Sequence, residues 1–314
     1  MTEKSEFYLR NYLSKGNIEF NYESQIIKID FQKDKLAKHK EFKNKLFNNS
    51  DYTILSIDKL QKKEDSLNLA IDLKNLLSFA LGKRIIFNKQ SYFLDEKETV
   101  INKEMAESSN SGPQIIPDLE IKDFLISSLP IWRKLSNSEK NNFYTIFDYL
   151  NQTREGFIED RILSTLQAWE CSANYWTDKI ELSDDFKDLK KRISETLKKW
   201  KKETGYIDTN GALGSSYKSV LEQEKLMLRL ENFISENKLN KECINLDLKK
   251  MKNMRDSVVH QGKIDITGNN ALEILEPSIK SLQLIILKKL NYNGLVIDFK
   301  NNWRTDNNIN SYFK

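Results

Sequence analysis

Two side chains near residue 260 are of the types that acid–base chemistry on a charged substrate would need. The chain has only two histidines, His39 and His260, and histidine exchanges protons most readily near neutral pH. His39 lies in a lysine-rich stretch, residues 35–45, and is expected to be solvated. His260 follows Arg255 by five positions, and a guanidinium can act as a functional cation while an imidazole moves a proton. Arg255 and His260 are therefore the candidate catalytic pair.

The helix that would carry this pair has an unusual apolar face. Lys241 to His260 has helical periodicity, and at about 100° per residue its apolar side chains fall on one stripe that should face a core. These residues are Ile244, Leu248, Met251, Met254 and Val258. Arg255 falls inside the same stripe, where an unpaired guanidinium is costly. It is therefore either a structural ion-pair partner or a functional cation.

His260 has a candidate partner one turn earlier on the same helix. Asp256 lies about 40° from it around the helix axis, so its carboxylate is expected to hydrogen-bond and orient the imidazole. Gly262 follows and indicates the end of the helix. The helix dipole and Asp256 would both favour the protonated imidazole, which suits a general acid.

One straight helix does not bring the pair together, because Arg255 and His260 lie about 140° apart around its axis. Three arrangements would let them meet around one substrate. The helix could unwind near Val259, Arg255 could reach along the surface, or a second copy of the chain could supply the complementary half. The last arrangement predicts a homodimer.

The string from Met254 to Gly262 (MRDSVVHQG) resembles the RX4-6H motif of HEPN domains, including the polar residue directly after the arginine. Arg161 to Trp176 is similar to the helix that opens the bundle in Apea-like HEPN domains, with Glu170 in the place of a frequent glutamate. The segment Ala271 to Leu290 resembles the closing helix. The similarity extends over about Leu119 to Gly294.

This resemblance implies an endoribonuclease that works as a homodimer, with Arg255 and His260 of both copies lining one cleft. Asp256 matches the polar position of the motif. The implied reaction needs neither a metal nor a cofactor and cuts RNA, such as tRNA or mRNA, to 2′,3′-cyclic phosphate and 5′-OH ends. The implied role is that of a bacterial toxin or antiphage (abortive infection) effector. Some family toxins continue as HxY, but Gln261 and Gly262 follow here, so a modifying nucleotidyltransferase partner is not expected.

An alternative from a different class remains open. In a catalytically inactive module the bundle would only dimerise or bind RNA, Arg255 would form an ion pair with a glutamate, and His260 would be a surface cap. Four lysines are predicted to contact RNA in the active form: Lys190, Lys191, Lys198 and Lys252. Three of them belong to the basic segment Phe186 to Lys202, which is equally typical of an amphipathic helix with a solvated face.

The remaining sequence predicts a mainly α protein, with a HEPN-like helix bundle behind a smaller N-terminal α+β domain. Strand-like pieces at 18–31 and 83–94 flank a helix at 66–81, and a polar stretch at 107–113 ends this part. The predicted divisions are 1–112, 113–294 and a loosely packed tail at 295–314. Helical segments are expected at 119–135, 138–152, 156–180, 184–202, 217–237, 241–260 and 270–290. The N-terminal domain would recognise a protein trigger or inhibitor.

Several classes of protein are not expected. The longest apolar run, Leu282 to Leu287, is too short to cross a bilayer, and the first ten residues lack a signal-peptide apolar region. A soluble cytoplasmic protein without a membrane partner is therefore predicted. Cys171 and Cys243 are isolated, without a CxxC or a neighbouring histidine, so neither a disulfide nor a metal site is expected. Both are predicted to be core thiols.

Overall fold

The computed structural model describes residues 3–10, 16–31, 53–58, 63–94, 97–102, 114–153, 156–177, 184–205, 226–264, 268–300 and 303–314. Helices dominate these residues, and an antiparallel sheet lies in the N-terminal part. The predicted mainly α fold with an N-terminal α+β part is confirmed. Each helix of the described residues is too short or too polar to span a lipid bilayer.

The described helices overlap the segments where apolar periodicity predicts them, and residues 178–180 and 217–225 of those segments lie outside the described residues. They are α1 (Lys63–Leu81), α2 (Ile121–Lys134), α3 (Asn137–Gln152), α4 (Ile158–Trp176), α5 (Asp184–Thr204), α6 (residues 226–236), α7 (Lys241–Ile244), α8 (Leu248–Gln261) and α9 (Gly268–Lys289). The predicted helix 241–260 is instead two helices. Asn245 adopts a left-handed φ of 57°, which asparagine tolerates, and the Asp247 side chain caps α8 by accepting from the Lys250 amide at 2.9 Å.

The N-terminal part is a six-stranded antiparallel sheet within the described residues. Its strands are β1 (Glu3–Arg10), β2 (Ile18–Tyr22), β3 (Gln25–Phe31), β4 (Thr53–Asp58), β5 (Ile86–Leu94) and β6 (Lys97–Asn102), in the order β2-β3-β4-β1-β5-β6. The predicted pieces 18–31 and 83–94 contain β2, β3 and β5. The two central strands, β1 and β4, were not predicted, although Phe7 and Leu55 pair across them and are fully buried.

Helix α1 connects the sheet to the helical part. It contacts β1, β4 and α2, and the hydroxyls of Ser5 and Ser66 lie 3.0 Å apart. Buried side chains of both parts form one continuous hydrophobic cluster. The predicted boundary at 107–113 lies outside the described residues.

A buried carboxylate fixes α1 to α2 and α3. The Asp72 side chain is 5% exposed and accepts a hydrogen bond from the Trp132 indole at 2.7 Å. Arg133 donates to the same carboxylate at 3.0 Å, and Lys140 donates to both its oxygens at 3.0 and 3.2 Å.

The C-terminal residues are not a loosely packed tail, so that prediction was wrong. They form a hairpin of β7 (Leu295–Lys300) and β8 (Trp303–Asn308), followed by the 3-10 turn Ile309–Tyr312. Val296, Ile309 and Tyr312 are buried because this hairpin and turn cover the bundle. The Ile297 amide donates to the Ile115 carbonyl at 2.8 Å, and this bond ties the hairpin to the chain before α2.

The two cysteines are both free, and neither is a fully buried core thiol. Cys171 on α4 is half-buried, and Cys243 on α7 is exposed. Cys243 is exposed because α7 is a single turn, whose core contact is made by the next residue, Ile244. The described residues contain no group of three or more His, Cys, Asp or Glu side chains able to hold a metal ion.

Candidate active site

Helix α8, which carries the predicted pair, is regular from its first residue to its last. Its predicted apolar face is buried and packs against α4 and α9. The helix continues past Val259, and the Gly262 amide, with φ 71°, closes it by donating to the Val258 carbonyl at 2.9 Å. The helix therefore does not unwind between Arg255 and His260.

Arg255 is half-buried at the edge of the apolar face. Its side chain is 35% exposed, and one guanidinium nitrogen donates to the Asp256 carboxylate at 3.1 Å. It is thus neither sealed in the core nor projecting freely. An arginine in this position is held by its neighbours but remains open to a ligand on the surface.

Asp256 does not orient His260, so the predicted hydrogen bond between them was wrong. Its carboxylate accepts instead from Lys252, at 2.5 Å, and from Arg255. Partial burial works to raise the pKa of Asp256, but the hydrogen bonds and charges of these two cations outweigh it, and the pKa lies below its usual value.

Lys252 lies one turn before Asp256 on α8 and is largely enclosed. Its side chain is only 11% exposed, and its ammonium is held in the ion pair with Asp256. An enclosed ammonium needs a carboxylate partner, and Asp256 supplies it. That Lys252 also contacts RNA stays a prediction.

Two further helices complete a polar cluster around Arg255. Glu170 on α4 is half-buried, and its burial raises the pKa of its carboxyl against the opposing charges of Arg255 and Arg229. Arg229 on α6 donates to the Asn174 side chain on α4. The members of this polar cluster are Glu170, Asn174, Arg229, Lys252, Arg255 and Asp256. Its three cations exceed its two carboxylates, so it suits an anionic ligand.

Asn174 and Arg229 were missed from the sequence. Arg229 lies about 40° from the buried Phe233 around α6, so it stands at the edge of an apolar face as Arg255 does. This position at the edge of an apolar helix face is the sequence feature from which Arg229 could have been predicted. Asn174 carries no such signal, because a polar side chain near a helix end is ordinary.

His260 lies apart from the polar cluster, exposed in the last turn of α8. Its imidazole makes no hydrogen bond or ion pair with any other described residue. Since α8 is regular, His260 and Arg255 remain about 140° apart around its axis. One copy of the chain therefore does not bring the two predicted catalytic groups together.

Three exposed apolar side chains lie on the helices that carry the polar cluster. Val259 is 54% exposed and lies one turn after Arg255, and Tyr175 and Leu228 are each adjacent in sequence to a cluster residue. These three residues are called the apolar rim. Helical spacing places Val259 beside Arg255, where an exposed apolar side chain is available to another molecule.

The other predicted RNA-binding lysines lie on α5. Lys190, Lys191 and Lys198 are exposed, near the exposed apolar side chains of Leu189 and Trp200. Among the described residues, the extensive contacts of α8 are with α4 and α9, not with α5. The structure therefore does not bring these lysines into the polar cluster.

Comparison of the chain with protein-family models, curated proteins and solved structures gives no match.

Proposed function

We propose that this protein is a metal-independent endoribonuclease of the HEPN type that acts as a homodimer. The observation that carries the proposal is the position of Val259, whose exposed side chain lies between Arg255 and His260 around α8. A second copy packed on this side chain would place its own α8 beside the first. The His260 of one copy could then face the Arg255 of the other.

The proposed reaction uses one side chain to transfer a proton and another to stabilise negative charge. His260 would exchange the proton of the ribose 2′-OH or of the leaving 5′-oxygen. Arg255 would stabilise the charge on the pentacoordinate phosphate, held in place by Asp256. The products would be a 2′,3′-cyclic phosphate and a 5′-OH. A bacterial toxin or antiphage effector would use such cleavage to stop translation.

A second candidate has its own support. Arg255 donates to Asp256 and faces Glu170, which fits an inactive module whose arginine is a structural ion-pair partner. In that protein the bundle would bind RNA or dimerise without cutting. Partial exposure of the Arg255 side chain favours the active form, because a guanidinium at the surface can still reach a phosphate.

The proposal is tested by incubating the purified protein with total RNA and tRNA in EDTA. The wild-type protein should cut and leave cyclic phosphate ends, and Arg255→Ala and His260→Ala variants shown to be folded should not. Absence of cutting by the wild type, or equal cutting by all three proteins, would contradict the assignment of this site.

The dimer is tested by Val259→Asp. The new carboxylate would have to be desolvated when the two copies pack, so the dimer should weaken by roughly 100-fold and RNA cleavage should fall with it. The melting temperature of the monomer should not change, since Val259 is exposed. Sedimentation velocity and the cleavage assay measure the two effects.

Phe157→Asp is the matched control for this variant. Phe157 is also exposed, at the N-terminal end of α4, about 27 Å along that helix from Tyr175. The control should leave dimerisation and cleavage unchanged. A wild-type protein that is monomeric at micromolar concentration would contradict the dimer.

A further inference from the structure

A cleft lies between α7, α9 and the C-terminal hairpin, and it shares no residue with the polar cluster. Its volume is about 430 Å³, within the range of small-molecule sites. Ile115, Ile244, Pro277 and Ile279 form apolar walls. Such a cleft accommodates a ligand with a short aliphatic body.

A lysine amine lines this cleft. Lys280 on α9 donates to the Ile297 backbone carbonyl, and its nitrogen lies 5.9 Å from the Tyr312 ring centre. Within the described residues it forms no ion pair, and the neighbouring Asp298 carboxylate accepts instead from the Tyr312 hydroxyl at 2.7 Å. A lysine bonded to a carbonyl can be neutral without losing that hydrogen bond, and its lone pair is then available.

Gln283 supplies a second polar group. It follows Lys280 by three positions on α9, is 5% exposed and lines the same cleft. Its amide makes no hydrogen bond with any other described residue and is open to the cleft. A ligand oxygen in the cleft would be a hydrogen-bond partner for it.

We propose that this cleft binds a small aldehyde or 2-oxo acid and that Lys280 condenses with its carbonyl carbon to form an imine. The amine nitrogen attacks the carbonyl carbon and a C–N bond forms. The carbonyl oxygen then leaves as water, with the two protons that the nitrogen loses. Hydrolysis reverses the reaction. Gln283 would hydrogen-bond the carboxylate of a 2-oxo acid, and the apolar walls would contact the aliphatic body.

Burial and the ionisable groups around Lys280 together set the pH at which its amine becomes neutral. Burial lowers the pKa of Lys280 to about 8, opposed by the charge of Asp298 on β7. Tyr312 and Cys243 face the cleft from the 3-10 turn and from α7, and Glu276 lies one turn earlier on α9, paired with Arg161. An ordinary lysine is almost fully protonated at neutral pH, whereas Lys280 is partly neutral there.

The proposal is tested by reductive trapping on the whole protein. Butanal and 2-oxobutanoate are incubated separately with wild-type protein and cyanoborohydride from pH 6 to pH 9, and modified lysines are quantified by peptide mass spectrometry. At pH 7.4 Lys280 should be modified about ten times faster than the exposed Lys249, with a rise centred near pH 8. Modification of Lys280 at or below the rate of Lys249 would overturn the proposal, and this comparison needs no variant to fold.

Gln283→Leu tests the second polar group. It should slow trapping of 2-oxobutanoate several-fold more than trapping of butanal, because only the former has a carboxylate. Equal slowing of both would overturn the role given to Gln283. None of these outcomes depends on RNA cleavage, so the cleft and the ribonuclease proposal are tested independently.

Discussion

Replacing Arg255 with alanine is expected to lower the rate of RNA cleavage by about 100- to 1000-fold, the usual cost of removing one group that stabilises transition-state charge. His260→Ala should lower it by about 100- to 10,000-fold, the usual contribution of general acid–base catalysis. Stability should change little. His260 is exposed, and Asp256 keeps Lys252 as a partner when Arg255 is removed. Single-turnover cleavage in EDTA measures the rate, and thermal unfolding measures the stability of each variant.

Arg304→Ala is the matched control for Arg255→Ala. Arg304 on β8 is a half-exposed arginine that donates to a nearby aspartate, Asp306, at 3.2 Å. Arg304→Ala therefore removes an arginine–aspartate hydrogen bond similar to the one that Arg255→Ala removes. It should leave cleavage unchanged. Arg255→Lys adds a second control, because it keeps the charge but loses the fork that binds two phosphate oxygens. Arg255→Ala with full activity would show that Arg255 is only a structural ion-pair partner.

Mixing the two inactive variants tests whether the site is shared between copies. If each site takes its arginine from one copy and its histidine from the other, a mixed dimer has one intact site and one empty site. Half of the dimers in an equal mixture are mixed, so activity should recover to about one quarter of wild type. No recovery would contradict a site split in this way.

The sequence predicted the apolar face and the C-terminal end of α8 but not its N-terminal end or the partner of the Asp256 carboxylate. Lys252 and His260 both lie four residues from Asp256, so helical spacing alone ranks them equally. Burial decides between them. Lys252 is enclosed and needs a countercharge, whereas His260 is exposed at the end of the helix and is hydrated by solvent. Helical spacing does not show which of these two neighbours of Asp256 becomes enclosed, because that depends on how α4 packs against α8.

Strands β1 and β4 were not predicted for a different reason. Phe7 on β1 pairs with Leu55 on β4, 48 positions away, and both strands are central in the sheet. The backbone hydrogen bonds inside a helix such as α1 join residues within about one turn, and the bounds of α1 were nearly predicted. Pairing between distant segments leaves only a weak local pattern, so the N-terminal sheet could be predicted in kind but not in strand number or order.

Asp72→Ala is expected to destabilise the protein by about 3–5 kcal/mol, the usual cost of removing one partner from a buried ion pair. The substitution leaves the Trp132 indole without its acceptor and the largely buried Lys140 without a countercharge. A typical protein has about 5–15 kcal/mol of stability in total, so this loss should be visible as a large drop in the urea midpoint. Asp72→Asn should cost less, because an amide oxygen can still accept from Trp132.

The control for Asp72→Ala is Asp148→Ala, which removes an exposed carboxylate from α3 and should change stability by less than about 0.5 kcal/mol. Because Asp72 belongs to α1 and its partners to α2 and α3, the same variant also tests how the two parts of the chain are joined. If their continuous core makes them one cooperative unit, tryptophan fluorescence and far-UV circular dichroism should shift together in urea. Separate transitions in the wild type, or an Asp72→Ala midpoint equal to that of Asp148→Ala, would contradict a joint that depends on this carboxylate.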